Sequence, residues 1–208
     1  SSTMAGAVLQ SLDLEVVAMH CDLPLGPALP PLLNMATALS CGRIIWHGWP
    51  RSPEHDSIGG VRRLAACYND AHAAAADHGL KFGLHNHWWE FEPVNGAYPY
   101  RVFDEVLHPD AFLEIDTYWV QTAHLDPAAV IAELGSRVRL LHLKDGPAVH
   151  GYPMTALGQG VLDFPRILSV IPHAVDWVVE LDECASDIFQ AIDLSLRYLH
   201  SNAAPGLH

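Results

Sequence analysis

Basic residues are scarce in this sequence. Eleven Lys and Arg stand against 24 Asp and Glu among 208 residues, giving a formal charge of −13 and a pI near 5.4. So acidic a chain repels phosphate backbones and anionic lipid, which sets aside nucleic acid and membrane surfaces as partners. Long apolar runs are missing too. None approaches the roughly 20 residues of a membrane span, and no charged-then-apolar signal peptide opens the sequence. Cysteine is sparse: Cys21, Cys41, Cys67 and Cys184 lie far apart with no C-x-x-C pair. Neither a zinc knuckle nor a disulfide framework is expected, and reduced thiols in a cytoplasmic protein are. The glycine-rich phosphate loops are also absent. Gly158-Gln159-Gly160 is an isolated G-x-G, so an open doubly wound nucleotide binder lacks its signature.

What is present is apolar residue in quantity, 50% of the chain, enough for one sizeable domain over residues 1–208. Six β-rich runs stand out: Leu14–His20, Arg43–Gly48, Lys81–His87, Phe112–Val120, Val138–Asp145 and Trp177–Glu183. Their interiors are nearly continuous apolar residues, as expected of strands covered on both faces. Helical patterns lie between them. Gly60–His78 is Ala-rich and closed by Gly79, a good C-cap residue. Asp126 followed by Pro127 opens a helix to Leu134, an N-cap with proline at the first helical position. Phe164–Val170 and Ile188–His200 read as amphipathic helices. Strand centres recur about every 30 residues, the rhythm of βα units in a parallel α/β fold.

Each of these strands ends in chemistry. His20 closes the first and Trp46-His47 the second; His85-Asn86-His87 closes the third and Asp116 the fourth; His142, Lys144 and Asp145 close the fifth and Glu180 the sixth. In a parallel β/α fold the C-terminal strand ends share one face, where active sites form. His, Asp and Glu converging there supply the nitrogen and oxygen ligands of a divalent metal. Alternation puts His85 and His87 on one side of their strand, and His142 and Lys144 on one side of theirs. Trp88-Trp89 and Tyr118-Trp119 offer aromatic walls for the C–H face of a sugar. Plainer roles compete: His20 and His47 as packed histidines, Trp88 and Trp89 as core, Asp145 as a cap of the following loop, Lys144 as the partner of a core carboxylate. Burying Asp116 or Glu180 in an apolar strand without a partner or metal would cost several kcal/mol, which favours function for the set.

Lys81–Phe91 (KFGLHNHWWEF), Leu113–Val120 (LEIDTYWV), Leu140–Gly146 (LLHLKDG), Leu157–Phe164 (LGQGVLDF) and Val178–Cys184 (VVELDEC) together resemble the sugar phosphate isomerase/epimerase family. These are the xylose-isomerase-like TIM barrels, and the closing ASDIFQAIDLSLRYL is similar to that family's last helix. The resemblance implies a (β/α)8 barrel with one divalent metal at its C-terminal face, manganese first, with magnesium, cobalt or zinc as alternatives. It implies Asp116, His142 and Glu180 as three of four ligands. His85 stands where many epimerases have the Glu of a Glu-Asn-His pattern, and is the fourth. His87 and Lys144 match positions that face substrate; His20, Trp46, His47, Trp88 and Trp119 complete the expected substrate contacts. Gln159 replaces the Glu of the more usual LGEG. A complete barrel of this type needs about 250 residues, so six strands imply that the first two βα units are lacking. Leu14–His20 resembles the family's third strand, and the gap is expected to be covered by the N-terminal segment or by another subunit.

The implied reaction is isomerisation or epimerisation of a sugar or sugar phosphate, by proton abstraction next to a carbonyl through an enediolate. Glu180 is the expected base, His85 or His87 a proton shuttle, and Lys144 the stabiliser of the oxyanion. With one well-placed carboxylate, isomerisation or elimination on keto-sugars or keto-glycosides fits better than epimerisation. An inactive sugar-binding barrel is a further alternative. The superfamily's DNA-repair enzymes need a basic groove that a charge of −13 does not supply. A cytoplasmic homo-oligomer acting on a small sugar is the expectation.

Overall fold

The computed structural model describes residues 2–172 and 174–202. Six parallel strands alternate with helices along these residues, as the βα rhythm predicts. Two compact units divide the chain, Ser1–His85 with Pro93–Leu113, and Asn86–Glu92 with Glu114–His208. No helix among the described residues is long and apolar enough to cross a membrane.

In the first unit lie α1 (Ser2–Ser11), β1 (Met19–Cys21), α2 (Leu29–Ala38), β2 (Arg43–Trp46), α3 (Ile58–Ala76), β3 (Lys81–His85) and α4 (Pro99–Val106). β1, β2 and β3 run parallel in that order, with Met19 opposite Ile44 and Ile44 opposite Phe82. Ile44, Ile45 and Phe82 are wholly buried, so both strand faces are covered here. β1 is far shorter than the predicted Leu14–His20 run. Because β2 begins only at Arg43, residues before Ala18 have no strand to pair with; the Val17 carbonyl instead accepts Arg43 Nε–H at 2.6 Å. α3 starts two residues before the expected Gly60, where the Ser57 hydroxyl accepts the Gly60 N–H at 3.0 Å. Gly79 stands just past its end at φ +73°, as expected of a C-terminal glycine. The sequence reading offered no helix for α2 or α4. Pro30 and Pro99 lie in the first turns, where a missing N–H costs nothing.

The second unit carries β4 (Phe112–Asp116) from Glu114 onward, α5 (Thr117–Thr122), α6 (Pro127–Leu134), β5 (Val138–Leu143), α7 (Phe164–Ser169), β6 (Asp176–Val179) and α8 (Ile188–Asn202). The order is β4, β5, β6, and β5 pairs with β6 in parallel from Leu140 opposite Asp176 to Leu143 opposite Val179. The predicted strand to Val120 stops at Asp116, because its Oδ1 accepts the N–H of Tyr118 and Trp119 at 3.0 and 3.1 Å and starts α5. Asp126 and Pro127 open α6 as expected, with Asp126 Oδ1 accepting the Ala128 N–H at 3.0 Å. Leu140, Leu141 and Leu143 of β5 are wholly buried, as is Ile131 of α6.

Asp145 organises the long segment between β5 and α7. Its carboxylate is wholly buried. Oδ1 accepts the N–H of Gly146 at 2.9 Å and of Leu162 at 3.3 Å; Oδ2 accepts those of Gly158 and Gly160, both at 2.9 Å. A side chain at position 160 would collide with that carboxylate, so glycine is required there. Asp145 is therefore the loop cap that a bland reading of the sequence suggested. Asp145→Ala should leave these donors unsatisfied and lower stability by about 2–4 kcal/mol. Denaturant unfolding would show it, and a loss below about 1 kcal/mol would mean the loop is held by other means.

Candidate metal centre

Alternation along β4 and β5 builds the site in the second unit. Glu114 and Asp116 are two apart on β4, and His142 and Lys144 two apart at the end of β5, so each pair shares a side. Asn86 fixes the end of β4: its Oδ1 accepts the Asp116 N–H at 2.9 Å and its Nδ2 donates to the Asp116 carbonyl at 3.3 Å. The Thr117 hydroxyl donates to the His142 carbonyl at 3.0 Å.

On this frame Asp116, His142 and Glu180 each offer one ligand atom, all within 4.8 Å of one another. His142 Nδ1 lies 2.6 Å from Glu180 Oε2 and 3.8 Å from Asp116 Oδ2, while Nε2 faces Glu114 Oε1 at 3.1 Å. Lys144 is buried, with Nζ 3.0 Å from Asp116 Oδ2, 2.8 Å from Glu180 Oε2 and 2.8 Å from Asp182 Oδ2. Glu114 and Asp116 are buried, whereas Glu180 and Asp182 reach partly into solvent.

These contacts set the protonation of the metal-free cluster. Burial alone would lower the His142 pKa, but the hydrogen bonds and charge of Glu114, with Glu180 and Asp116, carry it up to about 10. Burial alone would raise Glu180, but the hydrogen bond and charge of His142, then Lys144, bring it down to about 2. Burial likewise opposes the charge on Lys144, and Asp116, Glu180 and Asp182 outweigh it and raise its pKa.

The donor set fits a divalent cation. Four carboxyl groups face one ammonium and one imidazole; with the imidazole neutral, as a ligand must be, three negative charges exceed the ammonium, and a 2+ ion would offset two of them. With His142 Nδ1 turned to Asp116 and Glu180, Nε2 can donate to Glu114. A carboxylate behind an imidazole in this way fixes its tautomer and raises its basicity as a ligand.

An aromatic group stands in the same unit. The His87 ring lies on Trp89 at 4.3 Å and 8°, and its backbone N–H donates to Glu90 Oε2 at 2.9 Å. Trp88 is 5.2 Å from Trp119 and 4.1 Å from His150 between ring centres. Lys144 Nζ is 5.5 Å from the Trp119 ring centre. The remaining sequence-predicted residues belong to the first unit. His20 is exposed at β1 with its ring 5.2 Å from that of buried His85. Trp46 tilts against His47 at 4.4 Å. His47 Nδ1 accepts the Trp49 N–H at 3.1 Å, which leaves the proton on Nε2, 3.4 Å from Asp22 Oδ1.

The sequence reading missed Glu114, Asp182 and His150. The i, i+2 rule that joined His142 to Lys144 would have found the first in FLEID and the second in VVELD. His150 follows no periodicity; only the folding of the loop after β5 brings it to Trp88.

The sequence pattern of the xylose isomerase-like TIM barrel family matches residues 31–187. The chain belongs to that family. Among solved structures, it is similar to a sugar phosphate isomerase/epimerase from Parabacteroides distasonis at 21% identity and TM-score 0.77, covering 99% of this chain and 76% of that one. A probable 3-DHS dehydratase from Bacillus anthracis aligns at 13% identity and TM-score 0.68, over 98% and 82% of the two chains. A D-allulose 3-epimerase from Methylomonas sp. aligns at 16% identity and TM-score 0.65, over 97% and 82%. At these identities the likeness is one of fold. No protein of curated function matches the sequence.

In the metal-free protein, His142 carries a pKa of about 10 folded, against an ordinary histidine value of 6.5. Its contribution is fully present below about pH 6.5 and is lost as pH rises through 10. The melting temperature in chelator should therefore fall across that window by about 2–8 °C more than in His142→Gln, for roughly 1–2 kcal/mol. Parallel profiles for the two proteins would show that His142 is not held as a cation.

Proposed function

We propose that this protein is a divalent-metal-dependent sugar isomerase or epimerase, holding its ion with Asp116, His142 and Glu180. The observation that carries the reading is the convergence of those three donors amid an acidic surplus, with Glu114 set behind the imidazole. Oxygen and imidazole donors together suit manganese, with cobalt, zinc or magnesium as alternatives. The bound ion would supply Lewis-acid polarisation of a substrate carbonyl, acidifying the neighbouring C–H.

That help is needed. Glu180 is ionised throughout the working pH range, ready to accept a proton, but with His142 and Lys144 against it in the metal-free cluster it is a weak base. Lys144, held rigidly by three carboxylates, presents positive charge to an oxyanion developing beside it. His87, steadied on Trp89, is the proton shuttle of this reading. Trp88 and Trp119 provide an apolar wall for the sugar's C–H face. The same reading takes the protein to act in the cytoplasm, in keeping with its four free cysteines, and as a homo-oligomer.

Manganese-loaded protein should exchange deuterium from heavy water into the carbon next to a ketose carbonyl, with Glu180→Gln slower by at least about 100-fold. NMR reads both, and retained exchange in a metal-loaded Glu180→Gln protein would assign the base elsewhere. Loss of a β-substituent alongside exchange would identify elimination instead. No exchange with any ketose would contradict the proposal.

A further inference from the structure

Resting on that reading, we propose that the substrate is an uncharged sugar, a ketose or keto-glycoside without a phosphate, laid against Trp88, Trp119 and His150. A phosphate ester brings a charge of about −1.5 to −2 at neutral pH and needs cations or free backbone N–H groups to meet it. All 11 Lys and Arg of the chain lie among the described residues, so their commitments can be followed one by one.

In the second unit, Lys144 already faces three carboxylates. Arg166 pairs with Asp126, and Arg197 with Asp193. Arg137 and Arg139 stand where β5 begins, at the end of that strand remote from His142 and Lys144. In the first unit, Arg43 bonds the Val17 carbonyl, Arg51 pairs with Asp56, Arg62 with Glu105, and Arg63 with Glu54. Arg101 lies over the rings of Tyr98 and Tyr100, and Lys81 opens β3 at its N-terminal end.

The α-helix starts of the second unit are closed to anions as well. Asp116, Asp126, Asp163 and Asp187 each accept an N–H from the first turn of α5, α6, α7 and α8 respectively. A phosphate approaching any of these ends meets a carboxylate instead of open donors. Beside the acidic cluster, half-buried Trp88 and exposed His150, backed by buried Trp119, take the place of an anion site. Trp88 and Trp119 lie 5.2 Å apart, with His150 at 4.1 and 6.0 Å from them. Such faces hold the C–H side of a neutral sugar by apolar contact.

The test compares D-fructose with D-fructose 6-phosphate, and D-ribulose with D-ribulose 5-phosphate, on the manganese-loaded full chain. Tryptophan fluorescence reads binding and deuterium exchange reads turnover. The neutral member of each pair should bind and exchange at least about 10-fold better than its phosphate. Trp88→Ala and His150→Ala should raise KM or Kd for the neutral sugar about 10-fold, with manganese affinity and melting temperature unchanged. Equal or tighter binding of the phosphates would overturn the inference and leave the proposed function standing. Preferred quenching by the neutral sugar without exchange would uphold the inference and contradict that function. Quenching by neither member of a pair would overturn the inference.

Discussion

Two more acidic than basic groups are gathered at the ends of β4, β5 and β6, where Glu114, Asp116, Glu180 and Asp182 surround Lys144 and His142. That surplus is the constraint on which the rest depends. Lys144 alone cannot offset four carboxylates, so the metal-free protein recruits His142 as a second cation and raises its pKa to about 10. A divalent ion would do the same work and leave the imidazole neutral, as a ligand must be. The strands serve this cluster. Their period of two aims Glu114 with Asp116 and His142 with Lys144, and Asn86 fixes the backbone on which Asp116 stands.

Much of this was legible in the sequence. Nearly continuous apolar runs identified buried parallel strands, and Asp126-Pro127 and Gly79 punctuated helices as their chemistry requires. The ends of the runs were less legible. A strand and a helix both accept LEIDTYWV; what decides is the Asp116 carboxylate accepting two N–H groups, a contact invisible to apolar periodicity. β1 is short because its partner begins late, which is a property of pairing and not of its own residues. No helix was read for α2 or α4; both open on prolines, and the residue that breaks a helix interior is neutral in its first turn.

The site shows a similar division. Asp116, His142, Lys144 and Glu180 come together as their strand-end positions implied, because a parallel fold brings such ends to one face. Glu114 and Asp182 were overlooked although the same alternation contains them. His150 could not have been found, since loop folding alone brings it to Trp88. Asp145, whose neighbours suggested chemistry, spends its carboxylate on four backbone N–H groups and shapes the loop that carries His150. Acidic residues thus do three different jobs within a short stretch of structure: they gather charge, orient an imidazole and hold a loop.

The central claim is that the acidic cluster exists to hold a divalent cation. Calorimetric titration of chelator-stripped protein with manganese tests it most directly. The account predicts one ion bound per chain, at a site abolished by Asp116→Ala, and an increase in stability of about 2.7 kcal/mol when free manganese reaches 100 times its Kd. No uptake, or uptake unaffected by the loss of Asp116, would contradict it.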